Sequence, residues 1–163
     1  MFDAAVPVAL QALDRAQVLL DHATPAMLEA RLHADMFNCA EQFEITAGFA
    51  LRATLPLVGR EVVQRECAHD AISLKAHLIM ASTEIQALTP AQFEGAAERR
   101  IIHRAGFADL DQSGADYLHH FAIPNLWFHL SMAFAILRAG GALVGKAEFD
   151  GLHAYPPGFS WFG

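Results

Sequence analysis

Phe121, Asn125 and His129 stand four residues apart within the longest apolar segment of the chain, Phe121 to Leu137. A helix places residues at i, i+4 and i+8 on one face. An amide and an imidazole therefore project together from a helix that otherwise reads as core. The imidazole could act as a general base near neutral pH or as a metal ligand. Three histidines on neighbouring helices would make a zinc site, and this stripe carries one. A second polar stripe, Asp35, Cys39, Gln42 and Thr46, falls at i, i+4, i+7 and i+11 of another helical pattern. Buried polar side chains need partners. If the stripes face each other, Gln42 can hydrogen-bond Asn125 or His129. The three then form either a structural network or the polar wall of a pocket made by Asp35, Cys39, Gln42, Thr46, Phe121, Asn125 and His129.

Other chemistries find no support. The chain lacks a Gly-rich phosphate loop, a Gly-x-Ser-x-Gly elbow and a His-Glu-x-x-His pair. Cys39 would be a nucleophile only with a lowered pKa, and its apolar neighbours make it a buried structural thiol. His22, His33, His69 and His103 fall at helix ends or in loops and read as surface. His77 lies beside an apolar seam and reads as partly exposed. His119 and His120 are adjacent, so they point about 100° apart on a helix. His120 lies nearly opposite His129 and could reach the site only through a kink. Pro124 supplies a reason for one: it removes a donor and presses on the carbonyl of His120, so the helix should bend or loosen there. The freed carbonyl then needs a partner.

The elements that must position these residues are helical. Val6 to Asp21 carries apolar residues at helical spacing, with Pro7 in a first-turn position. Thr24-Pro25 opens a short turn through Ala30. A second long helix runs from about Ala34 to Thr54 and stops before Pro56. Its apolar face holds Met36, Phe37, Ala40, Phe43, Ala47 and Ala50, while Glu41, Glu44 and Arg52 read as solvated. Leu57 to Glu66 is a loop marked by Gly59. The third helix, about Ala68 to Leu88, repeats Leu74, Leu78, Ala81 and Ile85 as a bundle seam. Thr89-Pro90-Ala91-Gln92 reads as a capping box. Arg99 to Leu110 is a loop or a small hairpin around Gly106. Ser113-Gly114-Ala115-Asp116 starts a last long helix that ends at Gly140-Gly141. The tail, Gly151 to Gly163, is aromatic enough that it should pack on the bundle or on a partner chain.

The chain of 163 residues reads as one domain, 1–163. Its hydrophobic fraction of 54% and mean hydropathy of +0.26 fit an apolar central helix plus a subunit interface, hence a homodimer, or else simply an alanine-rich bundle, since alanine inflates both figures. The formal charge is −7 with no Lys/Arg cluster, which excludes nucleic acid as a partner. Phe121 to Leu137 falls short of the roughly 20 residues of a membrane helix and carries polar residues, so no membrane span is expected. Cys39 and Cys67 form no metal or redox spacing, and the N-terminus lacks a secretory pattern. A reducing, cytoplasmic setting is therefore expected.

Several stretches resemble a known family. They are Ala30-Arg31-Leu32-His33-Ala34-Asp35-Met36-Phe37 with Gln42 following, and Leu88-Thr89-Pro90-Ala91-Gln92-Phe93-Glu94-Gly95. The most specific is Gly114-Ala115-Asp116-Tyr117-Leu118-His119-His120-Phe121-Ala122-Ile123-Pro124-Asn125. It continues through Phe128-His129 to Ala135-Ile136-Leu137-Arg138 and Gly140. Over nearly its whole length the chain resembles the bacterial domain-of-unknown-function family numbered nineteen-ninety-three, in the DinB/YfiT-like superfamily. That resemblance implies an all-α four-helix bundle with up-down-down-up topology, often dimeric. Metal-binding members hold a divalent cation with one histidine from the second helix and a His-x-x-x-His pair from the fourth. The matching positions here are Gln42, Asn125 and His129, a degenerate set with one imidazole of three. Where the family carries an acidic residue on the second helix, this chain has Gly48.

The favoured expectation is a small-molecule-binding bundle without a metal. The alternative is a metal-dependent hydrolase or thiol transferase, its zinc or nickel ion held by His129, Asn125 and Gln42 and completed by Asp35, His120 or water. The third is a non-catalytic dimeric scaffold.

Overall fold

A computed structural model describes residues 1–156 and 158–160. Its long helices are α1 (Phe2–Leu20), α3 (Cys39–Arg52), α4 (Ala71–Gln86) and α6 (Ile123–Ala139). All but α4 and α6 pack directly as pairs, and α3 against α6 is the broadest contact. On α1, Ala5, Ala9, Ala12 and Ala16 are fully buried, so the neighbouring helices approach over a face of methyl groups. This helix starts at Phe2, before the expected Val6, and Pro7 lies inside it. Its cost is small because Pro7 and Asp3, whose carbonyl loses a donor, are both exposed.

The short helix α2 (Pro25–Glu29) begins as expected: Met27 N–H donates to the Thr24 hydroxyl at 3.3 Å. The second long helix does not begin near Ala34. It begins at Cys39, because Asn38 and Glu41 form a capping box. Glu41 N–H donates to Asn38 Oδ1 at 2.9 Å, and Asn38 N–H donates to Glu41 Oε2 at 2.6 Å. Asp35 and Phe37 thereby fall on the connector before the helix. Asp70 caps α4 by accepting from Ile72 and Ser73 N–H, and the expected seam of Leu74, Leu78, Ala81 and Ile85 is buried.

The fold is mostly helical, with a two-stranded antiparallel sheet. Residues Arg100–Ala105 (β1) and Ala108–Ser113 (β2) resolve the choice between loop and hairpin in favour of the hairpin. They pair from Arg100↔Ser113 to Ala105↔Ala108. Gly106 stands first in the two-residue turn at φ +60°, the position that favours glycine in a type II′ turn.

Beyond the hairpin the chain is helical without interruption over Gly114–Ala139. It passes through α5 (Gly114–Asp116), a π-helical turn (Tyr117–Ala122) and then α6. The loosening expected at Pro124 is this π turn. The carbonyl that takes a side-chain donor is Phe121's rather than His120's: Asn125 Nδ2 donates to it at 2.7 Å. By length and composition the run could cross a membrane, with a mean hydropathy of 1.3. In this fold its apolar face meets α3.

A further short helix, α7 (Lys146–Asp150), was not foreseen. It docks through Phe149, whose ring lies 5.8 Å from Trp127 and 5.3 Å from Phe134. Gln11 Nε2 donates to the Asp150 carbonyl at 3.1 Å. In the tail, Tyr155 stacks on His153 and Phe159. Pro157, Trp161, Phe162 and Gly163 lie outside the described residues, so the expected packing of that part of the tail is not described.

Gly114 is buried where the hairpin hands over to the last helix, and a Cβ there would sit 1.9 Å from the Ala96 carbonyl oxygen. The adjoining backbone is tied by Ala115 N–H donating to Ala97 at 3.0 Å, so relief requires moving main chain. Gly114→Ala should cost about 1–3 kcal/mol, read as a lowered denaturant midpoint at unchanged slope. An unchanged midpoint would show that this approach is not tight.

Candidate functional site

Gln42 and His129 meet where α3 faces α6. Gln42 Oε1 lies 2.7 Å from His129 Nδ1, and the residues are 1% and 8% exposed. The amide's orientation follows from its other end. Gln42 Nε2 lies 3.5 Å from the Phe37 carbonyl, which can only accept, so Oε1 faces the imidazole. An oxygen there requires the proton on Nδ1. His129 Nε2 is then a bare lone pair, without a hydrogen-bond partner among the described residues. Burial pushes the His129 pKa down to about 4, so the ring is neutral at pH 7. Phe49 holds it in place by stacking at 5.4 Å and 15° between planes.

His129 opens onto a cleft of about 680 Å³. On α3 the cleft is lined by Ile45, Gly48, Phe49 and Arg52; His77 comes from α4 and Gly106 from the hairpin turn. The remaining wall is the connector between the turn at Leu55–Val58 and α4, through Val62, Arg65 and His69. Side-chain ion pairs hold that connector. Glu84 of α4 takes both Arg60 at 2.7 Å and Arg65 at 3.1 Å, and His69 Nε2 lies 2.8 Å from Glu44 Oε2. Burial also lowers the His77 pKa, helped by Arg65 and opposed by Glu44. Arg52 carries its guanidinium 5.1 Å from the Phe49 ring centroid. Gly48 stands in the middle of α3 with nothing within 4 Å of the position its Cβ would take.

The other sequence-predicted residues have separate fates. Asp35 leaves the stripe altogether: its side chain is 90% exposed beside His33. The Cys39 thiol points at the Ala133 carbonyl at 3.8 Å, and burial pushes its pKa up to about 12, which removes it as a nucleophile. The Thr46 hydroxyl donates to the Gln42 carbonyl at 2.7 Å. Asn125 spends its amide N–H on Phe121 and makes no hydrogen bond to Gln42 or His129. Phe121 lines a neighbouring cleft of about 380 Å³. His120 is exposed on the far side, 3.6 Å from Asp116, and the π turn does not bring it to His129.

His69 is exposed, as expected, whereas His103 is half-buried. His69 lines the main cleft. His103 packs 4.8 Å from Tyr117 and 4.4 Å from Phe121, and its Nε2 meets Gln112 Oε1 at 2.8 Å. Arg52 and Glu44, read as solvated, line the main cleft as well. The available signal was their spacing: Gln42, Ile45, Phe49 and Arg52 recur every three or four residues. Among the described residues, no group of three or more His, Cys, Asp or Glu could hold a metal ion.

A family model described as "Domain of unknown function (DUF1993)" matches residues 1–150. The fold is similar to a crystal structure titled as a DinB family member protein from Shewanella denitrificans. The TM-score is 0.84 at 25% sequence identity, covering 95% of this chain and 94% of that one. No curated protein matches.

Two measurements probe the pair. Gln42→Leu leaves the His129 N–H buried and unpaired, so it should cost about 1–3 kcal/mol, and adding His129→Phe should recover much of that loss. Simple additivity of the two changes would show that the groups are not coupled. The second is pH. An imidazole that ionises near pH 4 when folded and near 6.5 when unfolded binds fewer protons in the folded state. Its contribution is complete above pH 6.5 and is lost as pH falls towards 4, by up to about 3 kcal/mol. His77 acts in the same direction. Denaturant titrations from pH 7 to 4 should show a shallower loss in His129→Phe; equal losses would exclude the shift.

Proposed function

The chain belongs to the DUF1993 family, and on that premise we propose that it binds a small organic molecule, without a metal ion, in the cleft beside Gln42 and His129. The reading takes the bundle in the up-down-down-up order of DinB/YfiT-like proteins. The observation that carries it is the buried hydrogen bond that fixes the tautomer of His129 and leaves Nε2 as an acceptor on the wall of a cleft of ligand size.

The donor set does not fit a divalent cation. Gln42 Oε1, the atom that would have to coordinate, accepts the Nδ1 proton instead. Asn125 is turned to its own helix by the Phe121 carbonyl. That leaves His129 Nε2, and amides are poor substitutes for imidazoles at zinc or nickel. Gly48 supports the small-molecule reading from another side. A glycine inside a helix costs roughly 0.5–1 kcal/mol relative to alanine. No neighbouring atom forbids a Cβ here, so the feature that the glycine maintains is open space.

Gly48→Leu should therefore keep or raise the melting temperature while filling the cleft. Ligand-observed NMR with a mixture of neutral aromatic fragments should detect binders to the wild type that are lost in Gly48→Leu. Binders that persist in the variant would place binding elsewhere. In parallel, calorimetric titration with zinc or nickel chloride should reveal no stoichiometric site. One ion per chain, abolished by His129→Ala, would replace this reading with the metal-dependent one.

A further inference from the structure

The cleft contains a second group without a partner. Its lining carries four ionised side chains, and three are engaged. Glu41 accepts the Asn38 N–H, Glu44 meets His69, and Arg65 meets Glu84. Arg52 makes no hydrogen bond or ion pair among the described residues. Its guanidinium lies over the face of Phe49, which leaves the edge free to donate. It is half-buried, and it lines both clefts, so it stands at their junction.

We infer that the cleft selects an amphipathic organic monoanion, a carboxylate on an apolar body, with Arg52 as its anchor and His129 Nε2 accepting a hydrogen bond from a hydroxyl or amine on the same molecule. This rests on the small-molecule reading of the cleft and names the ligand class. Three features of the page converge on it. Guanidinium donors match the two oxygens of a carboxylate, and such charge-assisted bonds are the strong ones. Between Arg52 and His129 lies Phe49, in ring contact with both, and Ile45 and Val62 extend the apolar wall. The charge balance favours a single negative charge. Arg52 is the one unpaired cation of this lining among the described residues, whereas Glu41 and Glu44 line the same cleft and Glu61 lines the neighbouring one with Arg52, which disfavours a dianion. Along α3, Glu41 and Glu44 stand eleven and eight residues before Arg52, about 16 and 12 Å away at 1.5 Å per residue, so these carboxylates and the free cation occupy opposite ends.

The test uses four defined probes in calorimetric titrations of the full chain: 3-phenylpropanoate, its uncharged counterpart 3-phenylpropanamide, 3-(4-hydroxyphenyl)propanoate, and phenethyl phosphate. Wild type should bind 3-phenylpropanoate at least about tenfold more tightly than the amide, and more tightly than the phosphate dianion. Arg52→Met should erase the acid-over-amide preference while leaving amide affinity within about twofold, which also shows that the variant is folded. Arg52→Lys should keep part of the preference. His129→Phe should keep the preference for acid but lose the gain of 3-(4-hydroxyphenyl)propanoate, whose hydroxyl stands at the far end from the carboxylate, over 3-phenylpropanoate. Equal binding of acid and amide to wild type, or an acid preference that survives Arg52→Met, overturns the anchor and leaves the cleft reading intact. A phosphate that binds more tightly than the acid overturns the monoanion assignment. If no probe binds, or if the probes bind Gly48→Leu as well as wild type, the cleft reading itself falls and this inference falls with it.

Discussion

One hydrogen bond between two buried side chains governs the interior of this bundle. Gln42 and His129 come from helices that share the broadest contact in the fold, and each is costly to bury alone. Paired, they satisfy each other where desolvation holds the ring neutral. The amide does more than fill a valence. By accepting at Nδ1 it decides which nitrogen of the ring is free, and the surrounding aromatic rings decide where that nitrogen lies. A histidine in that position without the glutamine could adopt either tautomer. The pair thus turns a core polar contact into a directed acceptor on a cavity wall.

The rest of the site is arranged around that fixed point by loosely tied parts. The connector that closes the cleft between Gly59 and Asp70 is held by Glu84 and Glu44 through arginine and histidine side chains, with no backbone ladder across it. Opposite it, α3 presents an aliphatic side chain, a glycine, an aromatic ring and a cation to the cleft, at Ile45, Gly48, Phe49 and Arg52. A wall of one stiff helix and one salt-bridged connector can hold a shape and still admit a molecule. The π turn before Pro124 contributes at the other end. It absorbs the missing donor of the proline inside a continuous helix, and it diverts Asn125 into closing its own turn. That diversion turns the Asn125 amide away from Gln42 and His129.

Local rules predicted the fold well because its elements are punctuated locally. The seam of α4, the Thr24 cap, the Ser113 cap and the loosening near Pro124 depend on residues within a turn of one another. The errors have equally local causes. Apolar periodicity starts α3 too early because the pattern from Met36 onward outweighs the Asn38–Glu41 box, and that carries Asp35 onto a helix it does not join. The early start of α1 was missed because Pro7 is tolerated where its lost bond falls on an exposed turn. The hairpin is ambiguous from sequence because six-residue strands that mix apolar and charged residues carry little pattern beyond a glycine at the turn.

The sequence by itself determined that a glutamine and a histidine would be buried on the inward faces of two long helices, since helical periodicity and the cost of exposing apolar side chains leave few other arrangements. It also determined the helical class and the absence of three imidazoles at the matching positions. Only the tertiary structure decided that Gln42 and His129 touch, that Asn125 turns away, and that Arg52, Gly48, His69 and His77 share their cleft. Those outcomes depend on the crossing of α3 with α6 and on how the connector after Gly59 returns over them. Contacts between residues dozens of positions apart are set by packing of whole helices, and no spacing within a single helix encodes them.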